Sequence, residues 1–199
     1  NRLAAVQRAG LLDTPAEESF DRFTRLATRI FKTPVALVSI VDADRQFFKS
    51  ATGLPEPWQS RRETPLSHSF CKHAVAMEEP LVIADVYLLP DDVTYKQNRS
   101  FDEKFGYRTK SMLVIPMKTH KDEVIGVLQL INRKKSLDTK LSSPEITEEE
   151  VQPYDTRLVE LVSALASQAA VGIENSKLYE DIERLFEGFV TAAVTAIES

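Results

Sequence analysis

The sequence predicts an α+β domain in which helices flank a central antiparallel sheet of about five or six strands. Three observations lead to this prediction. Apolar runs pair across short polar turns, helical periodicity precedes the first run, and nothing interrupts the helical pattern over the last stretch of about 45 residues. Strands grouped in this way, with helices gathered around them, are typical of α+β folds.

Two helices are predicted before the first strand. Residues 1–9 have helical composition and stop at Gly10, which suits a helix C-cap. Thr14 is a candidate N-cap for the second helix, with Pro15 at its first helical position. The apolar residues of the second helix recur at helical spacing and are expected to face the core: Phe20, Phe23, Ala27 and Ile30.

Five apolar runs are predicted to be strands, arranged as two hairpins around one short strand. The runs are 35–41 with 46–51, then 81–83 alone, then 111–117 with 124–132. Pro116 lacks a backbone donor, so a bulge or a strand end is expected there. One short helix capped by Ser67 and another that ends at Gly106 are predicted between the hairpins. Residues 133–153 lack periodicity and are predicted to be a linker or a long loop.

The stretch from Asp155 is predicted to be one helix, about 67 Å long, that pairs with a second copy of the chain. Its seam alternates steps of four and three, which is the spacing of a coiled coil. The predicted interface residues are Val171, Asn175, Leu178, Ile182, Leu185 and Phe189. The residues expected to pack on the domain itself come earlier: Leu158, Leu161 and Leu165. We expect a sensory domain over residues 1–176 and a coiled-coil helix over 177–199, in a parallel homodimer.

Composition excludes two classes of partner. A net charge of −5 lacks the clustered positive field that nucleic acids require. No run approaches the ~20 apolar residues of a membrane-spanning helix, and the N-terminus has no signal-peptide pattern. With one cysteine no internal disulfide can form, which fits a cytoplasmic protein. Because the sequence starts without Met and stops inside a helical pattern, we expect a piece of a longer protein.

Several motifs resemble those of bacterial GAF sensor domains, and the resemblance covers nearly the whole chain. They are residues 11–15 (LLDTP), 36–42 (ALVSIVD), 69–73 (SFCKH), 106–117 (GYRTKSMLVIPM) and 126–132 (GVLQLIN). The last two are similar to GAF domains of cyclic-nucleotide-regulated enzymes, and most of all to those fused to HD-GYP phosphodiesterases. Residues 185–197 resemble the helix that leads into an HD-GYP domain.

The resemblance implies a GAF fold with a ligand pocket on one face of the sheet and dimerising helices on the other. It also implies a non-catalytic sensor that acts through the paired helix on an effector domain in cis, a metal-dependent HD-GYP phosphodiesterase. A cyclic nucleotide is one candidate ligand, and no cofactor is expected. In cyclic-nucleotide-binding members Asn-Lys precedes a later Phe and an Asp-Glu pair. Here Arg133 follows Asn132, and Tyr154-Asp155 is the nearest remnant of the rest.

Two segments are predicted to line the ligand site: residues 85–109 and the short helix that bears Ser69, Cys71 and His73. Residues 85–109 form a long segment with little regular structure, and such segments inside compact domains are usually functional. Arg108 and Thr109 end it beside the sheet, where a guanidinium and a hydroxyl can bind a phosphate or carboxylate. The alternative for Arg108 is an ion pair with Asp102 or Glu103. The predicted ligand-binding residues are Ser69, Cys71, His73, Asp85, Arg108 and Thr109, around a small anionic or polar molecule.

Cys71 allows several interpretations. His68 and His73 suggest a metal site, but on a helix His73 lies about 200° away from Cys71, so no metal is expected. The thiol could attach a tetrapyrrole, as in some GAF photoreceptors. It could also sense redox state if a helix N-terminus lowers its pKa. The remaining interpretation is a half-buried thiol that lines a pocket or the core.

No arrangement of residues in the sequence indicates catalysis. There is no glycine-rich phosphate loop, no nucleophile elbow and no adjacent His-Asp metal pair. Some GAF proteins are free methionine sulfoxide reductases, but these require more than one cysteine. A ligand-free dimerisation module is the other alternative to a ligand-binding sensor.

Overall fold

A computed structural model describes residues 2–66 and 69–198, and its centre is one six-stranded antiparallel sheet. The strands are β1 (Val35–Val41), β2 (Arg45–Thr52), β3 (Glu63–Pro65), β4 (Leu81–Ile83), β5 (Met112–Lys118) and β6 (Val124–Ile131). Their order across the sheet is β3-β2-β1-β6-β5-β4. The two predicted hairpins therefore meet through β1 and β6 at the centre, and the α+β prediction is confirmed.

Helices bracket the strands in sequence. They are α1 (Arg2–Ala9), α2 (Glu18–Ile30), α3 (Trp58–Arg61), α4 (Phe70–Met77), α5 (Arg99–Phe105), α6 (Pro144–Glu150) and α7 (Thr156–Glu198). Gly10 follows α1 with a φ of 62°, the left-handed conformation that a helix C-cap requires. The predicted end of the first helix is thus confirmed.

The two faces of the sheet are covered differently. On the helix face, α1, α2 and the first turns of α7 bury one apolar cluster, in which alternate residues of the central strands such as Val38, Leu113 and Leu128 lie. On the crossover face, α4 and the crossover segment (residues 84–111, between β4 and β5) bury a second cluster that includes Phe70 and Val114. Alternation along each strand supplies both clusters.

The second helix begins later than predicted. Its N-cap is Glu17, not Thr14. The Thr14 hydroxyl instead donates to the Leu11 carbonyl at 2.7 Å and accepts from Lys49 Nζ at 2.6 Å, so it holds the loop before α2 rather than the helix end. Ile30, predicted to face the core, is the last residue of α2 and is 58% exposed.

Two predictions about the connections are also wrong. Ser69, not Ser67, caps α4: its hydroxyl accepts from the Cys71 amide at 3.1 Å. Ser67 and His68 lie outside the described residues. The segment 133–153 is not an unstructured linker, since it contains α6, capped by Ser143, and a bridge between Lys134 and Val151.

The last helix has two parts. Val162, Ala166 and Ala170 are fully buried against the sheet, whereas every described side chain from Leu178 to Ala196 is exposed. At 43 residues the helix is about 64 Å long, so its second part extends beyond the sheet. Leu161, predicted to pack on the domain, is 49% exposed.

The predicted seam lies on the side of α7 that faces away from the sheet. With about 100° per residue, Ala166 and Ala170 lie within about 80° of Val162, on the buried side. Val171 and Ile182 lie about 180° and 200° from Val162 by the same measure. The face that packs on the domain and the face that carries the seam are therefore opposite.

Candidate functional site

The six predicted ligand-binding residues form two groups on the crossover face. Asp85, Arg108 and Thr109 lie together at the two ends of the crossover segment. The other three residues, Ser69, Cys71 and His73, belong to α4. Between the groups, Val86 and the partly buried Tyr87 pack with Phe70 in the second apolar cluster. Packed side chains thus separate the two groups.

Arg108 is engaged within the protein. Its Nη2 donates to both carboxylate oxygens of Asp85, at 2.8 and 2.7 Å, and its Nε donates to Glu148 at 2.8 Å. The guanidinium also lies 3.8 Å from the centre of the Tyr87 ring. Burial disfavours the charge, yet Asp85 and Glu148 outweigh burial, and the pKa of Arg108 is raised. The alternative prediction, an ion pair of Arg108 with Asp102 or Glu103, is wrong, because the partners are Asp85 and Glu148.

Asp102 does not pair with Arg108, as the sequence suggested, but it is a key residue of this region. It is 2% exposed and accepts three hydrogen bonds. Two come from Thr109, through its amide at 2.9 Å and its hydroxyl at 2.8 Å, and one comes from the Tyr87 hydroxyl at 2.6 Å. Asp102 thereby ties α5 to both ends of the crossover segment. We call Asp85, Tyr87, Asp102, Arg108 and Thr109 the crossover network.

Asn132 fixes the end of this segment to the sheet. It is fully buried and has a φ of 63°, a left-handed conformation that Asn tolerates better than most residues. Its side chain accepts from the Lys110 amide at 2.7 Å and donates to the Arg108 carbonyl at 2.8 Å and to Tyr107 at 2.9 Å. Burial raises the pKa of Tyr107 to about 12.

The α4 group is built around a buried thiol. Cys71 is 1% exposed, and its Sγ lies 3.5 Å from Gln129 Oε1 on β6. Burial raises the pKa of Cys71 to about 12, which contradicts the interpretation of a thiol activated by a lowered pKa. The Ser69 hydroxyl bonds to Gln46, and the half-buried His73 ring lies 4.6 Å from the ring of Tyr95.

A cavity of about 270 Å³ opens beside the crossover network. We call it the crossover cavity. Its sheet side is formed by Val35 and Ile131, and its other side by Phe101, Phe105 and Tyr107. Thr109 is the predicted site residue that lines it, but the Thr109 amide and hydroxyl both donate to Asp102. The lining is therefore aromatic and apolar. It does not include Arg108, the cationic residue that was predicted to bind an anionic ligand.

A larger cavity of about 500 Å³ lies on the helix face. We call it the helix cavity. It is enclosed by the end of α1, the loop before α2, α2 itself, Val38 and Met117 of the sheet, and residues 169–180 of α7. No sequence pattern indicated this cavity, because it depends on how α7 packs near α1 and α2, which lie at the other end of the chain.

Within residues 2–66 and 69–198, no group of three or more His, Cys, Asp and Glu side chains is placed to hold a metal ion. In the same part of the chain, no helix has the length and apolar character to cross a membrane.

The GAF domain family matches residues 15–173, which is most of the chain, so this chain belongs to the GAF domain family. The structure agrees with solved GAF domains. The GAF domain of a phosphoenolpyruvate-protein phosphotransferase from Coxiella burnetii aligns with a TM-score of 0.62 and 16% identity, over 91% of this chain and 97% of that one. A GAF domain/HD domain protein from Geobacter sulfurreducens aligns with a TM-score of 0.56 and 20% identity, over 86% and 98%.

Among curated proteins, the chain is similar to a cyclic di-GMP phosphodiesterase of Pseudomonas aeruginosa. The two are 39% identical over 90 residues, which is 45% of this chain. The match spans 14% of the length of that relative. It therefore identifies a related domain and not a related whole protein.

Proposed function

We propose that this GAF domain is a non-catalytic sensor that controls an effector domain in cis through a pair of α7 helices. The single observation that best supports the proposal is the exposed apolar seam of α7. Leu178, Ile182, Leu185 and Phe189 are 52 to 75% exposed, on the side of α7 opposite to the face that its first turns bury in the domain. A second copy of the same helix covers this seam in a parallel dimer.

The effector that we propose is a phosphodiesterase of the cyclic di-GMP class, with HD-GYP chemistry. Two likenesses support this choice: the name of the Pseudomonas aeruginosa relative, and the combination of GAF and HD domains in the Geobacter sulfurreducens protein. In this proposal residues 1–176 form the sensory domain, and residues 177–199 form the helix that leads to the effector. The sensor is proposed to act in the cytoplasm, without nucleic-acid or membrane partners.

The ligand is proposed to bind in the crossover cavity, whose lining includes one of the predicted site residues, Thr109. The cavity volume of about 270 Å³ and its aromatic lining favour a small ring-bearing molecule over a strongly charged one. Its wall includes α5, which the crossover network holds through Asp102. A ligand that moves α5 would therefore shift both ends of the crossover segment and, through Lys110 and Arg108, the adjacent α6.

The dimer is tested by sedimentation velocity on the whole chain and two variants. Leu185→Glu places a charge in the seam, and we expect it to weaken dimerisation roughly 100-fold or more, because the charge is buried without a partner. Val190→Glu is the matched control: it is 43% exposed, lies about 100° around the helix from the seam, and should leave the dimer intact. Equal effects of the two substitutions would refute a seam-mediated dimer.

The ligand is tested by mass spectrometry of small molecules released when the purified protein is denatured. We expect a bound molecule in the unmodified chain and in Leu137→Trp, an exposed control position. It should be absent from Ile131→Trp, which fills the crossover cavity. Retention in Ile131→Trp would place the site elsewhere. A dimer with no released molecule would favour the ligand-free dimerisation module.

A further inference from the structure

We infer that the helix cavity is a second small-molecule site, for a neutral and largely apolar molecule that contacts the output helix directly. It lies on the face of the sheet opposite to the crossover cavity, so it goes beyond the ligand site proposed above. At about 500 Å³ it falls within the range of small-molecule pockets.

The cavity arises from small residues on α7 and from the turn after α1. Ala169, Gly172 and Ser176 recur at helical spacing on the wall that α7 contributes. A Cβ atom built on Gly172 would meet no other atom within 4 Å. On the other side, the chain leaves α1 at Gly10 and loops away before α2 begins. The space between the two elements is therefore left open by the path of the backbone after α1 and by the small residues of α7.

Apolar residues form the floor and the deeper walls. Val38 and Met117 come from the sheet, Phe20 and Phe23 from α2, and Ile173 from α7. Most of these residues also belong to the apolar clusters of the helix face. The interior therefore favours an apolar ligand body by the hydrophobic effect.

The charged groups of the lining are already paired. Glu17 bonds to the fully buried Lys49 side chain, and Lys177 lies 3.6 Å from Glu180 and 3.8 Å from Asp181. An anion would find no uncompensated cation there, and a cation would find no free carboxylate. The Thr14 hydroxyl likewise already donates one hydrogen bond and accepts another within the protein. The lining thus selects a neutral molecule, because a charged one would lose hydration without gaining a partner.

A second copy of the chain is not the occupant. The α7 residues of the lining lie within about 80° of Val162 around the helix: Ala169, Gly172, Ile173, Ser176, Lys177 and Glu180. The seam lies about 180° away, so a helix paired through it does not reach the cavity. The occupant we assign is a free small molecule.

The test uses the neutral dye N-phenyl-1-naphthylamine, whose fluorescence rises in apolar surroundings, titrated into the whole chain. Gly172→Leu puts a side chain into the cavity and favours the helix at the same time. Gly188→Leu is the matched control: it makes the same change on α7, likewise in open space, but away from the cavity. We expect Gly172→Leu to weaken dye binding by at least about tenfold, or ~1.4 kcal/mol, and Gly188→Leu to leave it unchanged.

Two further variants make the result specific. Ser176→Leu, at another position of the lining, should weaken dye binding as Gly172→Leu does. Ile131→Trp, which fills the crossover cavity, should not. Sedimentation of each variant separates this inference from the dimer proposal, since dye binding is measured independently of association. Equal dye binding by Gly172→Leu, Ser176→Leu and the unmodified chain would overturn the inference, as would the absence of dye binding by the unmodified chain.

Discussion

The two faces of the sheet are stabilised in different ways. The helix face is covered by long regular helices, whose backbone groups bond within each helix, and it can leave a cavity of about 500 Å³ beneath them. The crossover face is covered by short elements and by irregular backbone, whose polar groups must find partners elsewhere. Asp102 and Asn132 supply many of these partners, as buried side chains. The stability of the crossover face therefore depends on a few polar residues, and the stability of the helix face depends on apolar contact area.

The largest expected effect concerns the thiol on the crossover face. Because the pKa of Cys71 is about 12 instead of its ordinary 9.0, its thiolate population at pH 8 should be about 1000-fold lower in the folded than in the unfolded chain. We expect alkylation by iodoacetamide to be slowed by at least that factor relative to protein in urea. Cys71 is the single cysteine, so mass spectrometry reports on it alone. Fast alkylation of the native protein would mean that α4 moves and exposes the Cys71 thiol to solvent.

The same thiol gives a pH dependence of stability. Its folded pKa lies above its unfolded pKa, so the stabilising contribution is complete below about pH 9 and is lost as the pH rises towards 12. Cys71→Ala should therefore reduce the decrease in the free energy of unfolding above pH 9. Urea unfolding across that pH range measures this decrease. If the substitution leaves the alkaline fall unchanged, the buried tyrosines account for it.

The second effect concerns the centre of the crossover network. Asp102→Ala leaves the Thr109 amide, the Thr109 hydroxyl and the Tyr87 hydroxyl without their acceptor, and we expect a loss of about 4 kcal/mol in the free energy of unfolding. The adjacent exposed Glu103 provides the matched control, for which Glu103→Ala should change the free energy by less than about 0.5 kcal/mol. Urea titration of both variants measures the difference, and equal losses would show that the network is not what stabilises this face.

The smallest effect concerns the helix face, where neighbouring residues of α7 can be compared. Val162 is fully buried and Leu161 is 49% exposed. Val162→Ala should cost about 2 kcal/mol, less than Asp102→Ala, because the surrounding apolar side chains can partly close the space. Leu161→Ala should cost no more than about 0.5 kcal/mol at concentrations where the chain is monomeric. A larger loss at Leu161 than at Val162 would mean that α7 is rotated from its described position.

The sequence was sufficient to predict the elements that are marked by a pattern of apolar residues. The five apolar runs became β1, β2, β4, β5 and β6, because each had to bury at least one face. β3 was missed because its three residues Glu63–Pro65 are neither apolar nor alternating, and only pairing with β2 makes them a strand. α6 was missed because its apolar content is low, although Ser143 followed by Pro144 is a recognisable helix start.

The positions of Arg108 and Thr109 were predictable, but their hydrogen-bond partners were not. Arg108 and Thr109 do lie beside the sheet, as their place before β5 indicated. The partners of Arg108, however, come from 23 and 40 residues away, at Asp85 and Glu148, and no local pattern announces such pairs. Asp102 looks like an ordinary polar residue of a short amphipathic helix. Its burial follows only from the path of the crossover segment, which is tertiary information.

The seam and the wall of the helix cavity lie on opposite sides of α7, and this arrangement affects how a dimer would respond to ligand concentration. In a pair joined along the seam, each helix cavity lies on the outer flank of its own copy. If the proposed molecule filled one cavity of such a dimer, the other cavity could still be empty. The dimer would then have three states, with no cavity, one cavity or both cavities filled. A graded signal would follow, because two separate cavities would act on one pair of helices.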